Sequence, residues 1–170
     1  TQVYPAVLGS MLYDVLHVTD GWGALQVLEL SITVLYCVDY FHLQGDLGSD
    51  QLPHGTWRDT ALDAFIAIAF GLAYWQASDR HLFACYVWLS TAGVLILIYN
   101  LTPARRSIGV VLPHTVLAGL FVLLAWLATR TDGVTWTFAT ISWIPVLWYA
   151  AYVFTLANRL IQPRQPATAG

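Results

Sequence analysis

The sequence predicts an all-α, polytopic integral membrane protein with about five transmembrane helices and one further N-terminal helix that is interfacial or re-entrant. Three observations carry this. Of 170 residues, 58% are apolar and only 10% charged, which is well under half the charged share of an ordinary soluble domain. Five apolar runs have the roughly 17 to 25 residues that a helix needs to cross a hydrocarbon core of about 30 Å. Apolar residues go round each run on all sides, the pattern of a helix surrounded by lipid or by other helices. A soluble bundle would need many more Glu and Lys outside, and the chain has one Glu and no Lys.

The segment 3–18 comes first. It is short, carries Asp14 and His17, and has Pro5 where a first helical turn begins, so it is expected to lie in the interface or re-enter instead of spanning. The five spans follow at about 22–43, 61–77, 82–98, 108–128 and 134–157. Their connections, 44–60, 78–81, 99–107 and 129–133, are rich in Gly, Pro, Asp, Ser and Arg, as turn chemistry requires. Only the first is long enough to carry structure of its own. Trp22, Trp57, Trp75, Tyr99 and Trp136 fall near the ends of the spans, where an amphipathic ring is favoured. Pro113 and Pro145 lie inside the fourth and fifth spans and are expected to bend them. Ala67 with Gly71, and Thr115 with Gly119, form small-xxx-small pairs that would let helix backbones approach. Residues 1–160 read as a single transmembrane helical domain, and 161–170 as a short polar tail with too few apolar residues to fold.

Orientation follows from arginine. Over five spans, Arg80 and Arg130 share one side with the N-terminus, while Arg58, Arg105, Arg106, Arg159 and Arg164 fall on the other. The excess marks the second side as cytoplasmic, giving an N-out, C-in protein in the cytoplasmic membrane of a bacterium or archaeon. No basic region precedes an apolar stretch at the N-terminus, so no signal peptide is expected, and a start at Thr1 without Met is that of a processed chain.

Several functions are excluded. With a net charge of −3 and no basic stretch longer than Arg105-Arg106, the chain has no patch for a phosphate backbone, so nucleic acid is not a partner. Cys37 and Cys85 sit singly in apolar runs and read as small hydrophobes, with no redox pair or Cys-rich zinc site. Phosphate-binding loops, dinucleotide fingerprints, nucleophile elbows and zinc-protease helices are absent. The sequon at Asn100-Leu101-Thr102 is discounted because it lies at the cytoplasmic side, against a span end. Five spans do not divide into an inverted transporter repeat.

The informative residues are ionisable groups at membrane depth, each costing a few kcal/mol (~3) unless paired or wet. Asp39 and His42 at the end of the first span, Asp59 and Asp63 at the start of the second, and His114 about two turns into the fourth all fall at one level. The i,i+3 and i,i+4 spacings put each pair on one helix face. Asp46, Asp50 and His54 in the long connection could join them. At the other level Glu29, the only Glu, lies about two turns into the first span, with Gln26 and Thr33 beside it and Arg80 or Arg130 as candidate pairing partners.

Three functions compete. The leading one is transport or channel-type movement of a small ion, proton or solute, with Glu29, Asp39, Asp63 and His114 as intramembrane sites. A second is a non-catalytic membrane subunit that anchors or senses for a larger complex; homo-oligomers or membrane-complex partners are expected alongside the lipid bilayer. The third, an enzyme, is the less favoured class: Asp39, His42, Asp59, Asp63 and His114 would hold a divalent metal that acidifies water. Haem between His17 and His81, or between His42 and His114, is disfavoured because only His114 is well inside a span. Against all three stands a purely structural account, in which Asp59 caps the second span, Asp63 and His42 face the headgroup region, and only His114 is buried.

Overall fold

The protein is described by a computed structural model. It covers residues 3–18, 21–47, 57–101 and 108–161, except for the side chains of 43–47, 108–110 and 156–161. All regular structure among the described residues is helical: α1 (Val3–Leu16), α2 (Ala24–Leu47), α3 (Trp57–Ser78), α4 (Leu82–Asn100), α5 (Ile108–Ala128), α6 (Trp136–Ile141) and α7 (Trp143–Ile161). Five helical stretches are long and apolar enough to cross a membrane: Ala24–His42, Trp57–Ser78, Leu82–Asn100, Val111–Ala128 and Trp136–Thr155, the last running through α6 and α7. Asp46, Asp50 and His54 lie outside the described side chains, as do Arg105, Arg106, Arg159, Arg164 and the tail from 162 onward.

The helices alternate in direction, which gives the bundle two ends. At the lower end α2 and α4 finish and α3 and α5 begin; the upper end holds the α3–α4 and α5–α6 turns. α4 packs most extensively, between α3 and α5. The α4–α5 approach is set by Gly93, where an added Cβ would stand 3.2 Å from the Ala118 Cα. The Thr115 and Gly119 pair faces outward instead, with nothing within 4 Å of a Cβ at Gly119. Gly71 does meet another helix, since its Cβ position is 3.5 Å from Val7 of α1.

α1 departs from a helix lying across the interface. Its buried residues Tyr4, Met11 and Val15 follow an i, i+7, i+11 stripe and dock it upright in the groove between α2 and α3. Tyr4 stacks on Tyr36 with ring centroids 5.0 Å apart, and Tyr74 Oη donates to the Met11 carbonyl at 3.5 Å. α1 therefore runs antiparallel to α2 and parallel to α3. Of its two expected placements, the contacts fit the one inside the bundle. Its first residues stand at the lower end, opposite to where a five-span count sets the N-terminus. Pro5 falls in the first turn, where a missing N–H removes no helical hydrogen bond.

The fifth apolar run is interrupted at Ser142, between α6 and α7. Pro145 explains the position, because it has no N–H to give the Ile141 carbonyl and its ring crowds that group. Ser142 keeps the break satisfied: its Oγ donates to the Phe138 carbonyl at 2.7 Å and also bonds the Tyr86 hydroxyl. α5 continues through Pro113, and the Trp148 indole N–H of α7 donates to the Pro113 carbonyl at 3.2 Å.

The α3–α4 turn closes with Arg80 in the left-handed region, φ 62°. Arg80 N–H bonds the Ala77 carbonyl at 2.8 Å and His81 N–H the Gln76 carbonyl at 2.8 Å. This is a Schellman closure with arginine where glycine is usual.

Candidate functional site

Six helices bring polar side chains to one place at the lower end. Asp39 of α2 is 5% exposed and its carboxyl accepts two phenolic hydrogen bonds, from Tyr4 of α1 to Oδ2 at 3.0 Å and from Tyr149 of α7 to Oδ1 at 3.0 Å. The Tyr149 hydroxyl also stands 3.2 Å from His42 Nδ1. Asp39 and His42 are one turn apart on α2, so a single phenol on α7 bridges an i,i+3 pair. That bridge is the centre of the site.

The second half comes from α4 and α5. His114 is fully buried, and its Nε2 stands 3.4 Å from Asn100 Nδ2, which also donates to the Ile96 carbonyl at 2.8 Å. The two imidazoles come within 5.9 Å of each other, centroid to centroid, and the Tyr149 and Tyr152 rings close around them at 5.2 to 6.1 Å. Asp63 of α3, 8% exposed, helps line a cavity of about 20 Å³ with Tyr4, Asp39, His42, Tyr99 and Asn100. That volume suits one water molecule, and the walls offer the two to four polar partners that a buried water needs.

Of the residues nominated from sequence, Asp39, His42, Asp63 and His114 therefore converge. Asp63 is buried, against the structural account that faced it to the headgroups. Asp59 is half-buried in the first turn of α3 and is not among the cavity's walls; there its charge favours the positive end of the helix. Among the described residues no group of three or more His, Cys, Asp and Glu side chains is arranged to hold a metal ion. Phenols take the places a metal would need on Asp39.

Sequence reasoning missed Tyr4, Tyr99, Asn100, Tyr149 and Tyr152. Tyr149 and Tyr152 share one face of α7 at i,i+3, and that spacing was the available signal. A Tyr in an apolar run, though, looks the same whether its hydroxyl reaches a carboxylate or a lipid headgroup.

Glu29 lies at the other end of α2. It is 9% exposed and accepts from Ser78 Oγ of α3 at 2.7 Å, while Thr33 Oγ1 donates to the Glu29 backbone carbonyl at 2.9 Å. The hydroxyl of Ser78 occupies the place expected of an arginine. Arg130 stacks on Trp126 at 5.2 Å, and Arg80 forms the α3–α4 turn.

The class so defined is an all-helical protein with five stretches able to cross a membrane and a buried carboxyl, imidazole and phenol cluster at one end. No family model, curated protein or solved structure matches the chain.

Proposed function

We propose that this protein is a multi-pass membrane protein that moves protons, with Asp39, Tyr149 and His42 as the relay and Asp63 and His114 beside it. The observation that carries the reading is the Tyr149 bridge. A phenol has one proton and two acceptor lone pairs. When Asp39 is a carboxylate, Tyr149 donates to it and accepts from His42 Nδ1–H. When Asp39 is protonated, its O–H turns to the Tyr149 oxygen and the phenol proton turns to His42 Nδ1. One proton thus passes between carboxyl and imidazole without a bulk-water step. A cavity of about 20 Å³ favours a proton over a hydrated ion or solute, because it holds a single water. The lower end is the cytoplasmic one on this reading, since Arg58 and the arginines of the α4–α5 connection and the C-terminal segment belong to it. The cytoplasmic membrane of a bacterium or archaeon fits that arginine asymmetry.

The test is proton flux into vesicles carrying the purified protein and a trapped pH dye, driven by a potassium diffusion potential. Asp39→Asn keeps the shape and loses the titrating group, and is expected to lower the flux at least about tenfold, a barrier change of about 1.4 kcal/mol. Wild-type flux no greater than that of empty vesicles, or an unchanged rate in Asp39→Asn, refutes the reading.

One observation favours the second reading, an anchoring or sensing subunit or a homo-oligomer. An outward-facing groove of about 420 Å³ lies on α4 and α5, bordered by Val87, Ser90, Val94, Val122 and Ala125. A single-copy mass in mild detergent that persists across concentrations counts against self-association there.

A further inference from the structure

We infer that Glu29 is the upper station of the proton route and that a polar cleft at the upper end connects it to solvent, an inference that rests on the proton-moving reading. The cleft has a volume of about 410 Å³ and is bordered by Gly23, Ala24, Gln26, Arg80, Asp132 and Gly133. Two of its walls lead to Glu29. Gln26 is one turn above it on the same face of α2, and Ser78, which donates to the Glu29 carboxyl at 2.7 Å, is two residues before Arg80.

Glu29 is an expensive residue to bury for structure alone. A carboxylate has about four lone-pair sites, and the bond that holds it here comes from a serine hydroxyl that also donates to the Tyr74 carbonyl at 3.2 Å. A neutral hydroxyl suits a group that gains and loses a proton, since it hydrogen-bonds either form. The other ionisable groups close enough to act on Glu29 are Asp14 of α1 and Tyr74 of α3.

Glu29 and Asp39 are ten residues apart on the buried side of α2, about 15 Å along its axis. Hydroxyls mark the seam between them. Thr33 is 1% exposed, Tyr36 Oη donates to the Tyr4 carbonyl at 3.2 Å, and Tyr4 Oη donates to Asp39. The seam between α1, α2 and α3 thus joins the cleft at one end to the relay at the other.

The experiment combines flux with labelling on the full chain in vesicles. Glu29→Gln is expected to lower proton flux at least about tenfold, as loss of a proton-transfer group does. A water-soluble carbodiimide added outside is expected to leave a mass adduct on wild-type Glu29. Should Glu29→Gln fail to insert, Ser78→Ala removes only the hydroxyl and is expected to lower flux about fivefold, the effect of one ordinary hydrogen bond. Wild-type flux in Glu29→Gln while Asp39→Asn is inactive, or an unlabelled Glu29 while exposed Asp79 and Asp132 react, overturns the inference and leaves the proton-moving reading standing. A wild type that moves no protons overturns both.

Discussion

The Tyr149 bridge makes a differential prediction, because Tyr4 and Tyr149 do the same thing to Asp39 and only one of them reaches His42. Each phenol donates to one carboxyl oxygen at 3.0 Å, and each is almost fully buried. Replacing either by Phe keeps the ring and opens no cavity, so the cost is the hydrogen bond. A bond to a charged group is worth about 1.5–3 kcal/mol in water-soluble proteins, while bonds between membrane helices average about 0.6 and reach about 1.7 kcal/mol. Asp39 keeps its second phenol in either variant, so a loss of about 1–2 kcal/mol is expected from both Tyr4→Phe and Tyr149→Phe. Unfolding in a denaturing detergent titration measures it. Flux separates them. Tyr149→Phe removes the group between Asp39 and His42 and is expected to slow proton movement at least about tenfold, while Tyr4→Phe leaves the bridge intact and stays within about threefold of wild type. Equal losses of flux in the two variants, at equal losses of stability, would show that the proton does not pass through Tyr149.

Three structural predictions accompany it. Gly93→Ala brings a Cβ to 3.2 Å from the Ala118 backbone and 3.3 Å from Phe121; overpacking of about 1–3 kcal/mol outweighs a helix-propensity gain of about 1 kcal/mol, so the melting temperature falls. Gly119→Ala meets nothing within 4 Å and keeps only the propensity gain, so it is expected to stabilise by up to about 1 kcal/mol; a matching loss there would mean that the outward face of α5 is covered. Arg80→Gly relieves a left-handed arginine, φ 62°, worth about 1–2 kcal/mol against glycine's extra entropy of about 0.5–1 kcal/mol, and a small net rise in thermal stability is the expected readout.

The helical class and the five crossings were legible in the sequence, because lipid makes burial of backbone and charge a matter of local composition. The span 108–128 coincides with α5, and 82–98 falls two residues short of α4. α3 begins earlier than the apolar count suggested, at Trp57, since Arg58 and Asp59 are good first-turn residues that hydropathy reads as loop. α1 was misjudged for a related reason. Its 14 residues look too few and too polar to enter a bundle, yet Tyr4, Met11 and Val15 pay for that with contacts on α2 and α3, which a scan of one segment does not see.

For the site, Asp39, Asp63, His114 and Glu29 stood out by charge at depth, a one-dimensional signal. Their partners did not, because whether a phenol on α7 meets a carboxyl on α2, 110 positions away, depends on how each helix is rotated about its axis. The small-residue pairs show the same limit: Gly93 packs and Gly119 does not, although both sit in apolar helices. The sequence by itself determined the solvent, the number of crossings and the few positions where charge is buried, since transfer free energies act residue by residue. Only the tertiary structure decided which of those charges share a cavity, that tyrosines stand where a metal was considered, and that α1 supplies one of them, since rotation and contact are properties of the packed helices together.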